Sequence, residues 1–295
     1  MPGQGRFAGV ELGGTKTIAL LAKGDEIVER LHVDTRAPGE TLAAINGQLH
    51  EWDAVAPLDA VGIASFGPIQ LRRNAENFGH MLDTPKAGWA GADVAGLLTR
   101  GLACPIALDT DVNGAALAEH LWGAGRGIDS LWYITVGTGL GGGLLLDGRP
   151  VHGAMHPEIG HIRVRRSTSE RFDGACPFHG DCIEGLVSGS ALARRFGTPV
   201  ETVCDEDPRW ASVADDLAEL MATLFLTTAP ERILLGGTVM TKRSFLIPMI
   251  RAATLDRLAG YLPFVRGDTI DGRIMLAALG DEAGPMGAIA LAMSA

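Results

Sequence analysis

The chain has 295 residues, 46% of them hydrophobic and 20% charged, with a formal net charge of −10 and a pI near 5.2. That length and apolar content can fill one large core or two ordinary ones, and the usual size of a domain favours two. The acidic balance argues against a nucleic-acid partner, whose phosphates call for clustered Lys and Arg, because the one dense basic run, Arg163-Val164-Arg165-Arg166, is short.

No apolar stretch approaches the roughly 18 residues of a membrane span. The start of the chain, residues 1–6, leads directly into a strand pattern, so a cytoplasmic protein without a membrane partner is expected. Residues 7–12 are apolar apart from Glu11, Gly13-Gly14-Thr15-Lys16 turns the chain, and residues 17–22 return, which predicts a strand, a glycine turn and a strand. A third strand is expected over 27–33. A helix follows over 41–52, where Leu42, Ile45, Leu49 and Trp52 fall on one face, and then a buried strand over 60–65 that ends at Phe66-Gly67-Pro68.

Residues 105–108 predict a short strand ending on Asp109-Thr110-Asp111, with a helix over 112–122. The next block repeats the first: strand 131–136, a glycine turn over 137–143 and a return over 144–146, so the chain reads as two related hairpin halves. Late in the chain, 232–235 predicts a strand closing on Gly236-Gly237, and 281–293 a terminal helix capped by Asp281. The forty glycines gather at strand ends, a pattern of close backbone approach to a ligand.

The glycine turns at Gly13-Gly14 and Gly137-Thr138-Gly139, with Gly236-Gly237, are phosphate-loop candidates, since glycine bares successive N–H groups. Neither turn has the spacer of a Walker loop. Asp111, at a strand end and before a helix, is either a helix N-cap or a carboxylate kept ionised by the helix dipole and able to act as a base. Asp109 is the second candidate for that role.

The most specific segment is Cys176-x2-His179-x2-Cys182 with His161 fifteen residues earlier. Two thiolates and two imidazoles make a neutral, closed tetrahedral zinc site, which holds a loop and leaves no position for water. Such a site draws Glu158, His161 and Glu184 toward one pocket, where carboxylates and an imidazole N–H suit the gripping of hydroxyls. A plainer account leaves His161 structural and both glutamates on the surface. The other two cysteines, Cys104 and Cys204, read as plain buried thiols.

At Val10-Glu11-Leu12-Gly13-Gly14-Thr15-Lys16, Asp109-Thr110-Asp111-Val112-Asn113, Thr135-Val136-Gly137-Thr138-Gly139, residues 156–161 and residues 176–185, the sequence resembles the ROK family of sugar kinases, and its bacterial fructokinase branch most closely. The resemblance covers nearly the whole chain. It implies the actin-like ATPase (ribonuclease H-like) α/β fold of two lobes with a central cleft: residues 1–115 with the terminal helix 281–295 returning to them, and residues 116–280 with the zinc loop.

It implies Asp111 as the catalytic base in transfer of the ATP γ-phosphate to a hexose 6-hydroxyl, fructose above glucose or mannose. Gly67, Thr110, Asp111, Glu158, His161 and Glu184 would hold the sugar. Gly13, Gly14, Thr15, Lys16, Thr135, Gly137, Thr138, Gly139, Gly236 and Gly237 would hold the nucleotide with Mg²⁺, and His161, Cys176, His179 and Cys182 the zinc. A homodimer is also implied. Two departures stand out: Thr110 where many relatives carry Asn, and Glu11 where Asp is common. The competing readings are a sugar sensor without catalysis and a zinc hydrolase, and the lack of an N-terminal DNA-binding extension counts against a repressor.

Overall fold

The structure, a computed structural model, describes residues 5–166 and 172–295. Residues 1–4, where the chain was expected to enter its first strand, and residues 167–171, inside the segment that carries the Cys and His cluster, lie outside the description. The chain forms two compact units, residues 1–122, 149–157 and 281–295 in one and 123–148 and 158–280 in the other. The first break in the contacts falls after Trp122, at the end of a helix.

In the first unit β1 (Arg6–Leu12), β2 (Lys16–Lys23), β3 (Glu26–Asp34), β4 (Ala60–Ser65) and β5 (Ile106–Thr110) form a sheet in the order β3-β2-β1-β4-β5. The hairpin β1-β2 is antiparallel, and β4 and β5 run parallel to β1. Alternation decides the faces. Ala8, Val10 and Leu12 of β1, with Ala19 and Leu21 of β2, meet Leu42, Ile45, Leu49 and Trp52 of α1 (Pro38–Val55) on one side. On the other side Ile18, Leu20 and Ala22 meet Ile289, and Ala64 and Ala107 meet Ala288 and Leu291. The short helix α2 (Val94–Leu98) packs beside α1, and α3 (Asp111–Trp122) leaves β5 directly.

In the second unit β6 (Leu131–Val136) and β7 (Leu140–Leu146) repeat the antiparallel hairpin; the two-residue strand β8 (Arg149–Pro150) follows and belongs to the first unit. The helices α4 (Ile183–Val187), α5 (Gly189–Phe196) and α6 (Arg209–Thr228) precede β9 (Arg232–Gly236), which runs parallel to β6 as β4 does to β1. Then come α7 (Gly237–Lys242), α8 (Leu246–Leu258), α9 (Ile270–Arg273) and β10 (Ile274–Leu276), parallel to β9. Helix α6 buries Val213, Leu217, Met221 and Leu224 along one stripe and packs on α8.

Helix α10 (Ala283–Met293) returns to the first unit, lying on β1 and β4 and against α3. Glycine permits that closeness: a Cβ on Gly62 would sit 2.0 Å from the Ala288 carbonyl oxygen, and one on Gly287 would sit 2.3 Å from the Gly114 carbonyl carbon. Three expectations change here. Asp281 lies in a short 3-10 turn and Glu282 is the residue before α10, with no side-chain cap. The expected turn over 137–143 stops at Gly139, because Gly141, Gly142 and Gly143 pair with β6. Gly142 serves packing, since a Cβ there would meet the Ile159 side chain at 2.3 Å. Cys204 is exposed, not buried, because its turn is held by its carbonyl, which accepts from the Trp210 indole at 2.9 Å, and the thiol is left outside. Among the described residues no helix is long and apolar enough to cross a membrane.

Candidate active site

Asp111 is the first residue of α3, directly after β5, and its carboxylate accepts from the Val112 N–H at 2.8 Å. Burial pushes its carboxyl up to about 6, against the opposing pull of backbone N–H groups. Asp109, two residues earlier, is 4% exposed. Its carboxylate accepts from the Thr110 N–H at 2.7 Å, from the Asn113 amide at 2.7 Å and from His152 at 3.0 Å. Thr110 turns its hydroxyl to the Asn113 N–H at 3.2 Å, the capping bond expected of Asp111.

The Gly67 loop is held from the same unit, for the Ile69 N–H donates to His156 Nε2 at 3.2 Å. Burial lowers the affinity of His156 for a proton, which suits an accepting ring nitrogen. On the first glycine turn the Gly13 N–H donates to the Lys16 carbonyl at 3.1 Å, and a Cβ on Gly13 would lie 2.7 Å from that oxygen. Gly14, Thr15 and Lys16 stay exposed. Lys86, a residue the sequence reading did not single out, donates to the carbonyls of Gly14 and Thr35. Glu11 borders this turn. Burial first, then the charge of Asp111, pushes its carboxyl up to about 7, while Lys16 pulls the other way. Asp111, the stronger acid, ionises first, so the mutual repulsion falls on Glu11.

In the second unit the turn Gly137-Thr138-Gly139 is clamped by α5, with the Gly189 N–H on the Gly137 carbonyl at 2.7 Å and the Ser190 hydroxyl on the Thr138 carbonyl at 3.2 Å. Gly237, at φ 82°, closes against Thr135 and Val136; a Cβ there would meet the Thr135 hydroxyl at 2.6 Å. Beside these turns lies a cavity of about 710 Å³ walled by Gly137, Thr138, Ser190, Thr238, Lys242 and Arg243 among others. Of the residues expected to hold a nucleotide, Gly137 and Thr138 line it and Thr238 follows Gly237; the cationic side, Lys242 and Arg243, carries no glycine motif and was not expected from the sequence.

His161, Cys176, His179 and Cys182 present one donor atom each within 4.8 Å of one another. Cys176 Sγ lies 3.8 Å from Nδ1 of both histidines, and Cys182 Sγ 3.7 Å from His161 Nδ1. The loop is preset by backbone bonds between Cys176 and Gly180, at 3.1 and 3.0 Å. Gly185 packs under it, where a Cβ would fall 2.1 Å from the Gly180 carbonyl. Burial, with Cys176 beside it, pushes the Cys182 thiol up to about 11.

Glu184, two residues past the last sulfur, accepts from the Leu140 N–H at 3.0 Å, and the 3-10 turn Ile159–His161 lies against its stem. Glu158, just before that turn, is exposed and gives its carbonyl to the His161 N–H at 3.1 Å.

The pattern of the ROK family matches residues 7–295. The chain belongs to the ROK family. It is 41% identical over 297 residues to a fructokinase of Zymomonas mobilis, covering 97% of this chain and 96% of that one. A ROK hexokinase from Thermus thermophilus superposes with a TM-score of 0.77 at 27% identity, over 97% of each chain. A ROK glucokinase from Streptomyces griseus, solved with glucose and AMPPNP, gives 0.76 at 26%, over 99% of this chain and 100% of that one. Each unit of the ROK protein is therefore one half of an actin-like ATPase fold, a hairpin joined to parallel strands.

Proposed function

We propose that this ROK protein transfers the γ-phosphate of ATP to the 6-hydroxyl of a hexose, D-fructose before glucose or mannose, with Asp111 as general base. The observation that carries the reading is the Asp111 carboxyl: its loop is fixed by Asp109, and an affinity near 6 leaves it ionised yet basic at neutral pH. Similarity to the fructokinase of Zymomonas mobilis supports fructose as the substrate, and similarity to the Streptomyces griseus glucokinase keeps glucose as the second candidate.

In the proposed reaction the 6-hydroxyl oxygen bonds to the γ-phosphorus and the bond from that phosphorus to the β,γ-bridging oxygen breaks. The hydroxyl proton passes to Asp111. Hexose 6-phosphate and ADP leave, and Asp111 returns its proton to water. Such a transfer asks mainly for positioning and charge stabilisation.

Gly67, Thr110, Glu158, His161 and Glu184 are assigned to the sugar. Gly13, Gly14, Thr15, Lys16, Thr135, Gly137, Thr138, Gly139, Gly236 and Gly237 are assigned to the nucleotide. Glu11 would hold the hydration shell of Mg²⁺, which neutralises phosphate charge when bound. Its own raised affinity for protons fits a carboxylate that expects a cation.

The four-donor cluster is assigned to structural Zn²⁺. Zn–S of about 2.3 Å and Zn–N of about 2.1 Å in a tetrahedron put sulfur and nitrogen about 3.6 Å apart, close to the 3.7 and 3.8 Å found. With Nδ1 on the metal side, His161 Nε2 is left to donate to a sugar hydroxyl, so chelation should raise the sugar KM and loosen the loop together. Unchanged kinetics in the metal-free protein would contradict that coupling.

The working unit is taken as a cytoplasmic homodimer. Asp111→Asn should cut turnover by about 10² to 10⁴ and leave sugar binding, measured by calorimetry, nearly unchanged. A variant with the wild-type rate removes Asp111 from the role.

A further inference from the structure

Asp109 is a buried carboxylate without a lysine or arginine partner among the described residues, and burial of an unpaired charge is costly. What satisfies it is a fan of donors: the Thr110 N–H, the Asn113 amide and His152 Nε2, the last 3.1 Å from one carboxylate oxygen and 3.0 Å from the other. Asn113 is fully buried and its Oδ1 has no partner among the described residues. Turning that amide over would set Oδ1 against the carboxylate, so Asp109 holds it at the cost of an unmet acceptor. Asn113 and Thr110 bracket Asp111 on the first turn of α3. Fixing them fixes the base.

We propose that His152, through Asp109, is the positioning residue that holds the Asp109 to Asn113 turn and so aims the Asp111 carboxylate at the sugar hydroxyl. This role rests on Asp111 being the base. His152 is 43 residues from Asp109 in sequence and stands on the segment that continues to Glu158, so one imidazole joins the base-bearing turn to the strand end that leads to a sugar contact. Without it, the Asp109 carboxylate loses the one imidazole donor it has among the described residues, and the turn gains room to slip. A displacement near 1 Å at a reacting group lowers a rate by about 100-fold.

Two variants separate positioning from folding. His152→Ala removes the donor, whereas His152→Gln sets an amide N–H at nearly the reach of Nε2. Steady-state kinetics with ATP and fructose should show kcat down by about 10- to 100-fold for the alanine variant, with the ATP KM unchanged and the loss largely restored by glutamine. Melting curves for both variants give the folded fraction by which each kcat is normalised. An alanine variant within twofold of wild type, or a glutamine variant no better than alanine, overturns the proposal. An Asp111→Asn enzyme that keeps its rate in the same assay overturns the reading of the base itself, and this role with it.

Discussion

Two carboxylates with raised proton affinity lie close in one unit, and they set the pH behaviour expected of the protein. If Asp111 is the proposed base it must be ionised to accept a proton, and with its carboxyl pushed up to about 6, kcat/KM should fall tenfold per unit as pH drops below that value. A rate that stays flat down to pH about 4 would deny Asp111 this role.

Glu11 acts on stability instead. The folded chain holds its proton up to about 7 against 4.5 unfolded, so the benefit is complete below 4.5 and is lost as pH rises through 7. Glu11→Gln should therefore melt higher than wild type at pH 8, without nucleotide or Mg²⁺, and converge with it near pH 4. Equal melting points at both pH values would show that Glu11 is not held protonated. At this scale the sequence was informative about identities and silent about partners. Asp109 and Asn113 are four apart and could be read as a pair, but His152 meets them only because the fold returns the chain there.

Elements were legible where glycine interrupts apolar runs. The hairpin β1-β2 stands where the strand, turn and strand pattern puts it, β6-β7 does so except that its return strand begins at Leu140, within the expected turn, and α1 shows its buried stripe plainly. Helix α6 carries its signal only in the helical spacing of Trp210, Val213, Leu217, Met221 and Leu224, with no glycine turn or motif within it. Not every glycine marks a phosphate turn. Gly62 and Gly287 serve packing, letting α10 approach β4 and α3. Gly62→Ala, with backbone in the way on the α10 side, should destabilise the protein by about 1–3 kcal/mol as measured by urea denaturation. An unaltered midpoint would mean that α10 shifts freely. Cys182→Ala, by removing one of the four donors of the proposed zinc site, should lower the zinc content per chain and the melting temperature. Full zinc occupancy in that variant would take Cys182 out of the ligand set.

For the whole molecule, family and fold emerge from the same residues: the paired hairpins, the Asp111 turn and the Cys and His cluster. The choice among hexoses does not, because it turns on a few hydroxyl contacts, and at the proposed sugar residue Thr110 the side-chain oxygen already accepts from the Asn113 N–H. The most direct test is a coupled assay of ADP release with ATP, Mg²⁺ and a panel of fructose, mannose and glucose. Fructose should give the highest kcat/KM, with fructose 6-phosphate as product. No ADP above background with any hexose, or hydrolysis that needs metal but no nucleotide, would contradict it.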